Sequence, residues 1–302
     1  MQRTLIDLPQ FGVVVSGYGG LLALAAAVCL LVGPWWAARL EGLDRRAVRR
    51  ALLLVAVAPW IGGRLHFVLN NWALFAERPS RMLALTDGGL HAAGAILALA
   101  LALPLGARWA GVPLLRLADG LTPMVGIGVA IARIGCFLNG CCFGTPCDHG
   151  WCVRFPSDTF VFRQHLFSGL LPPRSTMSLP VHPLQLYFAA VGLLVAIVGM
   201  RVHRRKRFDG QVALVGLVIF SVGAAALETL RANAAPRTYW GPLPALEWVA
   251  LGMTAASLAV LVFALAQWGV VGPGSAIPRH RAASGRSSGE STRTQGASHA
   301  EV

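Results

Sequence analysis

Charge is scarce in this sequence. Only 13% of its 302 residues are charged, 13 are acidic and Lys206 is the single lysine, whereas 55% are hydrophobic. One soluble core of this size cannot bury so much apolar side chain, so the composition excludes an ordinary soluble domain and predicts a membrane protein. The net charge of +13 does not indicate nucleic acid as a partner, because the basic clusters lack interleaved aromatic residues and lie between apolar runs.

Seven apolar segments are long enough to cross a bilayer. They cover residues 13–36, 51–70, 88–107, 119–138, 182–200, 211–231 and 243–268. The sequence therefore predicts an all-α polytopic membrane protein with seven transmembrane helices. No internal repeat or pair of broken helices indicates an inverted-repeat transporter. Most segments carry one ionisable side chain near an end, which we expect to face the bundle interior or the interface. These side chains are Arg64, His91, Arg133, His182, Glu228 and Glu247.

Loop charge predicts the orientation of the helices. Five arginines lie within residues 39–50 and five Lys or Arg residues lie within 201–207, so both loops are expected in the cytoplasm. This orientation puts the N-terminus outside, the C-terminus inside, and an extracytoplasmic cap at 141–181 between helices 4 and 5. Residues 1–271 then form one transmembrane domain. Residues 272–302 are rich in Gly, Ser and Arg, which predicts a disordered cytoplasmic tail.

Arg133 is the first candidate for chemistry. It lies about one helical turn before the expected outer end of the fourth segment, among small and apolar residues. A guanidinium there can snorkel to the interface, form a structural ion pair, or bind a phosphate through its planar fork of donors. The nearby Gly135, Gly140 and Gly144 allow a backbone to approach a lipid headgroup closely.

Other polar side chains follow the same pattern of lying near segment ends. The run from His182 to Tyr187, which includes Gln185, either caps the fifth segment at the interface or lines a headgroup cavity. Glu228 and Arg231 are spaced i,i+3, which allows an ion pair on one helical face. This pair is either structural or presented to a phosphate-bearing substrate. Tyr18, between small residues in the first segment, is either an interfacial aromatic or part of the same cavity.

Five of the six cysteines fall between Cys136 and Cys152. Our leading interpretation is disulfides within the cap, with a connectivity that the sequence does not determine. A metal site that includes His149, a thiol-exchange role and simple packing are the alternatives. Cys29, alone in an apolar segment, is expected to pack.

Taken together, these motifs resemble those of prolipoprotein diacylglyceryl transferases over about residues 12–268. The shared elements are Tyr18-Gly19, Gly63-Arg64-Leu65, Asp87-Gly88-Gly89-Leu90, Arg133-Ile134-Gly135 through Asn139-Gly140 with Gly144, His182-Pro183-x-Gln185-Leu186-Tyr187, and Glu228-x-x-Arg231. The resemblance implies transfer of a diacylglyceryl group from phosphatidylglycerol to the lipobox cysteine thiol of a preprolipoprotein. It also implies a multi-pass protein of the bacterial inner membrane that contacts membrane lipids, without a cofactor or metal.

The resemblance assigns roles to ten residues. Phosphatidylglycerol is expected to bind at Arg133, Arg64, Asn139, Gly144, Gln185, Tyr187 and Arg231. Catalysis is expected at His182, Tyr18 and Glu228.

The chain departs from the family pattern at several site positions. Ala93 stands where a His is usual, Cys136 where an Asn is usual, Cys141 where an acid is usual, Ala224 where an Arg is usual, and Phe188 where a Glu is usual. Two alternatives to an active transferase follow. One is a catalytically altered or inactive paralogue that binds anionic phospholipid, and the other is a thiol–disulfide membrane protein.

Overall fold

A computed structural model describes residues 4–8, 13–76, 79–83, 89, 92–232, 239–240 and 243–271. Helices dominate this part of the chain. They are α1 (Gly17–Ala27), a π-helical turn (Val28–Val32), α2 (Gly33–Glu41), α3 (Arg45–Asn70), α4 (Trp72–Ala76), a 3-10 turn (Pro79–Leu83), α5 (Ala92–Ala110), α6 (Leu114–Asn139), α7 (Phe160–Phe167), α8 (Leu184–His203), α9 (Gln211–Glu228) and α10 (Ala245–Val271). Two antiparallel hairpins accompany them, β1 (Thr4–Leu8) with β2 (Val13–Ser16), and β3 (Tyr239–Trp240) with β4 (Leu243–Pro244).

Five helical segments of the described chain are long and apolar enough to cross a membrane. They are Gly17–Glu41, Arg45–Asn70, Leu114–Asn139, Leu184–His203 and Gln211–Glu228. Their outward faces carry large apolar side chains such as Leu31, which is 70% exposed, and Ile61, which is 62% exposed. A soluble protein rarely leaves so much contiguous apolar surface in water, so the predicted membrane class is confirmed. Shorter apolar stretches occur at Gly94–Ala110 and Leu251–Ala264.

The segment ends differ from the sequence prediction. The first helical segment begins at Gly17 rather than at residue 13, because Val13–Ser16 pairs as β2 with β1. The fifth begins at Leu184, with Pro183 at the N-cap position, so His182 precedes the helix. The predicted tail 272–302 and His91 lie outside the described residues, as does the side chain of Glu247.

The cap, residues 141–181, holds only the eight-residue α7 as a regular helix, so it contains no further span. Its interior is a small apolar cluster in which Phe155, Val161 and Val181 are fully buried. The expectation of disulfides is confirmed for Cys147 and Cys152, which are bonded to each other. The cap is thus a folded element rather than a loose connection.

Helix α6 is the centre of the bundle and packs against α1, α2, α8 and α9. Its contact with α8 is backbone against backbone. A Cβ atom built on Gly126 would lie 2.6 Å from the carbonyl oxygen of Gly192 and 2.9 Å from the backbone nitrogen of Ala196. Small residues allow such close approach of helices in a membrane, where packing replaces the hydrophobic effect as the driving force.

The N-terminal part of α6 is held in place by Lys206, the single lysine of the chain. The Lys206 ammonium lies 2.7 Å from Glu41, 3.1 Å from Asp119 and 3.0 Å from Asp209. Asp119 is fully buried and also accepts hydrogen bonds from the backbone N–H groups of Gly210 and Ala213. Burial alone would lower the pKa of Lys206, but its hydrogen bonds to Glu41 and Asp209 and the charge of Asp119 raise it. This buried network ties α2, α6 and the start of α9 together.

We predict that Gly126→Ala destabilises the bundle. The added methyl group meets main-chain atoms of α8 that cannot rotate away, and overpacking of this kind costs about 1–3 kcal/mol. The midpoint of thermal unfolding in detergent should fall. Gly252→Ala is the matched control, since a Cβ at that helical glycine meets nothing within 4 Å, and its midpoint should stay or rise slightly. Equal midpoints for the two variants would contradict the close α6–α8 contact.

Candidate functional site

The candidate site forms where the end of α6, the start of the cap and the start of α8 meet. Helix α6 ends at Asn139, and Gly140, with φ of +66°, turns the chain away. The backbone then pairs with the residue before α8, because Gly144 N–H donates to the His182 carbonyl at 3.0 Å. A Cβ on Gly144 would lie 2.7 Å from the His182 Cβ and 2.8 Å from the Leu230 carbonyl oxygen. Gly144 is therefore the residue that lets these three segments meet.

Two guanidinium groups converge on one aromatic ring at this junction. The Arg133 guanidinium carbon lies 4.4 Å from the centroid of the Phe188 ring, and that of Arg231 lies 5.9 Å from the same centroid. Cation–π contacts hold a guanidinium flat against a ring and leave its edge donors available. Within the described part of the chain, no residue accepts a hydrogen bond from Arg133.

The predicted ion pair between Glu228 and Arg231 is confirmed. The Arg231 Nε donates to Glu228 Oε2 at 2.8 Å, and the Glu228 carboxylate is 8% exposed. The backbone of Arg231 also forms a bridge with Gly144. Glu228, at the end of α9, therefore holds the Arg231 side chain, and Gly144 of the cap holds its backbone.

The run before and into α8 brings His182, Gln185 and Tyr187 to the same junction. The His182 Nδ1 lies 3.4 Å from the Tyr187 hydroxyl. The His149 ring of the cap lies 6.2 Å from the His182 ring. Gln185 is fully buried and its Nε2 donates to the Cys141 carbonyl at 2.7 Å, so it ties the first residue of the cap to α8.

Tyr18 and Asn139 complete the part of the site near α6. Helix α1 packs on α6 at Gly135, where a Cβ would lie 3.6 Å from the Tyr18 ring. Tyr18 is also within electrostatic range of Arg133. Asn139, the last residue of α6, lies near the Cys141 thiol.

Arg64 is placed differently from the other nine predicted residues. Its guanidinium donates to the carbonyl oxygens of Met82, Gly89 and Arg81 at 2.9, 3.2 and 2.7 Å. The side chain is 8% exposed and also faces the Phe67 ring. The described contacts therefore link Arg64 to residues 81, 82 and 89 rather than to Arg133 or Arg231, and its role in substrate binding stays a prediction.

The disulfide interpretation of the five clustered cysteines is wrong for three of them. The thiol sulfurs of Cys136, Cys141 and Cys142 lie within 4.8 Å of one another, and none of them is in a disulfide. Hydrogen bonds from Cys136 and Cys141 lower the pKa of the Cys142 thiol, as do the nearby charges of Arg133 and Arg231. The crowding of cysteines was visible in the sequence, but which of them would pair was not.

Sequence reasoning also treated Phe188 only as a departure from the family pattern. The structure places both the Arg133 and the Arg231 guanidinium groups within cation–π distance of its ring. No signal in the sequence alone connects these three positions, since the contact depends on how α6, α8 and the end of α9 pack.

Comparison with known proteins identifies the family of this chain. The family model for prolipoprotein diacylglyceryl transferase matches residues 4–263. The chain is 31% identical over 231 residues to the phosphatidylglycerol–prolipoprotein diacylglyceryl transferase of Parasynechococcus marenigrum (strain WH8102), which covers 74% of this chain and 78% of the relative. Identity is 30% over 236 residues to the protein of that name from Synechococcus elongatus, covering 76% of this chain and 77% of the relative. The chain is also 30% identical over 257 residues to the protein of that name from Symbiobacterium thermophilum, and this match covers 84% of this chain and 88% of the relative.

The match extends from the first hairpin into α10 and includes every residue of the candidate site. This chain therefore belongs to the prolipoprotein diacylglyceryl transferase family.

Proposed function

We propose that this protein transfers the diacylglyceryl group of phosphatidylglycerol to the lipobox cysteine thiol of a preprolipoprotein. Its relatives carry the name of this activity. The observation that carries the proposal is the convergence of Arg133 and Arg231 on the Phe188 ring, beside the His182 and Tyr187 pair. Cations next to a proton acceptor are what this reaction needs.

The phosphate of phosphatidylglycerol binds between the two guanidinium groups. Arg133 offers a planar fork of N–H donors that matches two phosphate oxygens, and the Phe188 ring, 4.4 Å from the guanidinium carbon, restricts where that fork can lie. Arg231 supplies the second charge. Glu228 is expected to be catalytic from the resemblance, and here it acts as a positioning residue that holds the Arg231 Nε at 2.8 Å.

Transfer breaks one carbon–oxygen bond and forms one carbon–sulfur bond. The thiol sulfur attacks the glycerol carbon of the diacylglyceryl group, and glycerol phosphate departs with the bonding electron pair. Arg133 and Arg231 stabilise the charge that develops on the departing phosphate. The thiol proton goes to a base, since a free thiol with a pKa of about 8.5 is mostly protonated at neutral pH.

His182 is the base in this proposal. A neutral imidazole accepts a proton near physiological pH, and the Tyr187 hydroxyl at 3.4 Å from Nδ1 orients the ring. Tyr18, Asn139, Gly144 and Gln185 shape the wall around the headgroup. Arg64 contributes by donating hydrogen bonds to the carbonyl oxygens of residues 81, 82 and 89.

The departures from the family pattern favour one alternative function. With Ala93, Ala224 and Phe188 at usual polar positions, the same two arginines would suit a paralogue that binds anionic phospholipid without turnover. The two functions share phosphatidylglycerol binding and differ only in the thioether product.

The orientation also belongs to the proposal. Seven spans would place the N-terminus and the cap outside the bacterial inner membrane, and the C-terminus and a disordered tail at 272–302 in the cytoplasm. The basic loops 39–50 and 201–207 support this, because they flank the end of the bundle opposite Arg133. Residues 1–271 act as one transferase domain.

A reporter enzyme that is active only outside the cytoplasm tests the orientation. Fused after Ser168 in the cap it should be active, and fused after Arg204 it should be inactive. Both sites are exposed in the structure, so a fusion at either is accessible. The reverse pattern would refute the assignment of the site to the outer face.

Arg133→Lys should lower kcat/KM for transfer by about 100-fold or more, because an ammonium keeps the charge but loses the planar fork. Purified protein, phosphatidylglycerol vesicles and a lipobox peptide would be combined, and the thioether product measured by mass spectrometry. Arg163→Lys, on the exposed face of α7, is the control and should leave the rate unchanged. Wild-type protein that binds phosphatidylglycerol but forms no thioether would favour the binding paralogue instead.

A further inference from the structure

Three free thiols are gathered at the edge of α6. The Cys136, Cys141 and Cys142 sulfurs all lie within 4.8 Å of one another, whereas the other two cysteines of the region, Cys147 and Cys152, are bonded to each other. The proposed transfer uses none of the three. Their proximity therefore needs a separate explanation.

The backbone holds the three thiols in place from both sides. Cys136 lies in the last turn of α6, and the Cys141 thiol reaches back toward the Cys136 carbonyl at 3.7 Å. Cys142 has a φ of +59°, and among the described residues it alone has a positive φ without being a glycine. A left-handed conformation is rare for such a residue and persists only where its surroundings fix it. One such constraint is the buried Gln185, which holds the Cys141 carbonyl at 2.7 Å.

Three convergent sulfurs are a donor set for soft cations. Thiolates favour Zn²⁺ and Cu⁺ over Mg²⁺ or Ca²⁺. Ligand sulfurs around tetrahedral zinc are about 3.8 Å apart, given Zn–S bonds of about 2.3 Å. The separations here, all within 4.8 Å, are compatible with that value. Cys142 is exposed, so an ion can enter from the surface.

The neighbouring charges also suit a thiolate complex. Three thiolates with one monovalent or divalent cation carry a net charge of −2 or −1. Arg133 and Arg231 both lie within electrostatic range of Cys142, and they balance that charge. Without such cations, a negative complex at the edge of a membrane would be costly.

We propose that Cys136, Cys141 and Cys142 form a three-thiolate binding site for a thiophilic d¹⁰ cation, Zn²⁺ or Cu⁺. Each thiol gives one proton to solvent as its bond to the metal forms, and no oxidation or reduction takes place. The proposed metal site shares the neighbouring charges of Arg133 and Arg231 with the proposed transferase, but metal binding itself requires no diacylglyceryl transfer.

The test is a metal titration of the full-length protein in detergent, reduced and kept without oxygen. Zn²⁺ is added in one arm, and Cu⁺, kept reduced, in the other. Absorption from thiolate-to-metal charge transfer and competition with a chelator give stoichiometry and Kd in each arm. We expect one ion per chain in at least one arm.

Single substitutions distinguish metal binding at this site from nonspecific metal binding by other cysteines. Cys136→Ser, Cys141→Ser and Cys142→Ser should each weaken binding by about 100-fold or more, which exceeds the usual loss from an outer-shell partner. Cys29→Ser is the matched control and should keep the wild-type Kd, since that thiol lies apart in the π-helical turn and bonds the Met124 carbonyl. Cys142 is exposed, so its serine variant should stay folded, as a single peak in size exclusion would show.

Two results would overturn the proposal. One is the lack of stoichiometric binding of either ion by reduced wild-type protein. The other is an equal Kd for Cys142→Ser and Cys29→Ser. Neither result depends on a transfer assay, so the proposed activity stands or falls separately.

Discussion

The close contact between α6 and α8 sets the rest of the structure. At Gly126 and Gly192 the two helices touch through their backbones, and neither position has room for a Cβ. The two helices are antiparallel. Arg133 lies about two turns after Gly126 in α6, and Phe188 lies about one turn before Gly192 in α8, so the two side chains meet. The distance between the guanidinium and the ring is therefore decided by two glycines about 10 Å along the helix from Arg133. Any side chain at that contact would separate the two helices and move the Arg133 guanidinium away from the Phe188 ring.

The two ends of α6 use charge in opposite ways. At one end Lys206 meets Glu41, Asp119 and Asp209, so every charge there has a partner and the network serves to hold helices together. About 21 Å away along the helix, at 1.5 Å per residue, Arg133 lies against an aromatic face and no described residue accepts its hydrogen bonds. A cluster in which every charge has a partner typically stabilises a fold. A guanidinium whose N–H donors have no acceptor in the protein is typical of a binding site. This contrast, more than the number of charges, locates the site.

The sequence was enough to predict the membrane class, most helix positions, the ion pair between Glu228 and Arg231, and a segment without a further span between helices 4 and 5. Each of these depends on local spacing or on hydropathy, which a linear pattern contains. The Lys206 network could not be predicted, because Asp119 lies 87 residues from Lys206 and looks like any single acid at the end of an apolar segment. The place of Phe188 was missed for the same reason. Contacts between distant helices depend on packing angles that no short motif specifies.

The central claim is that this chain is an active transferase whose chemistry depends on Arg133. Rescue of a bacterial strain depleted of its own diacylglyceryl transferase tests it most directly, with lipoprotein masses measured in the rescued cells. We expect growth and lipoproteins carrying the diacylglyceryl group with the wild-type chain, and neither with Arg133→Ala expressed at the same level in the membrane. Failure of the wild-type chain to rescue, despite its presence in the membrane, would show that the chain is not an active transferase, and full rescue by Arg133→Ala would show that Arg133 is not required.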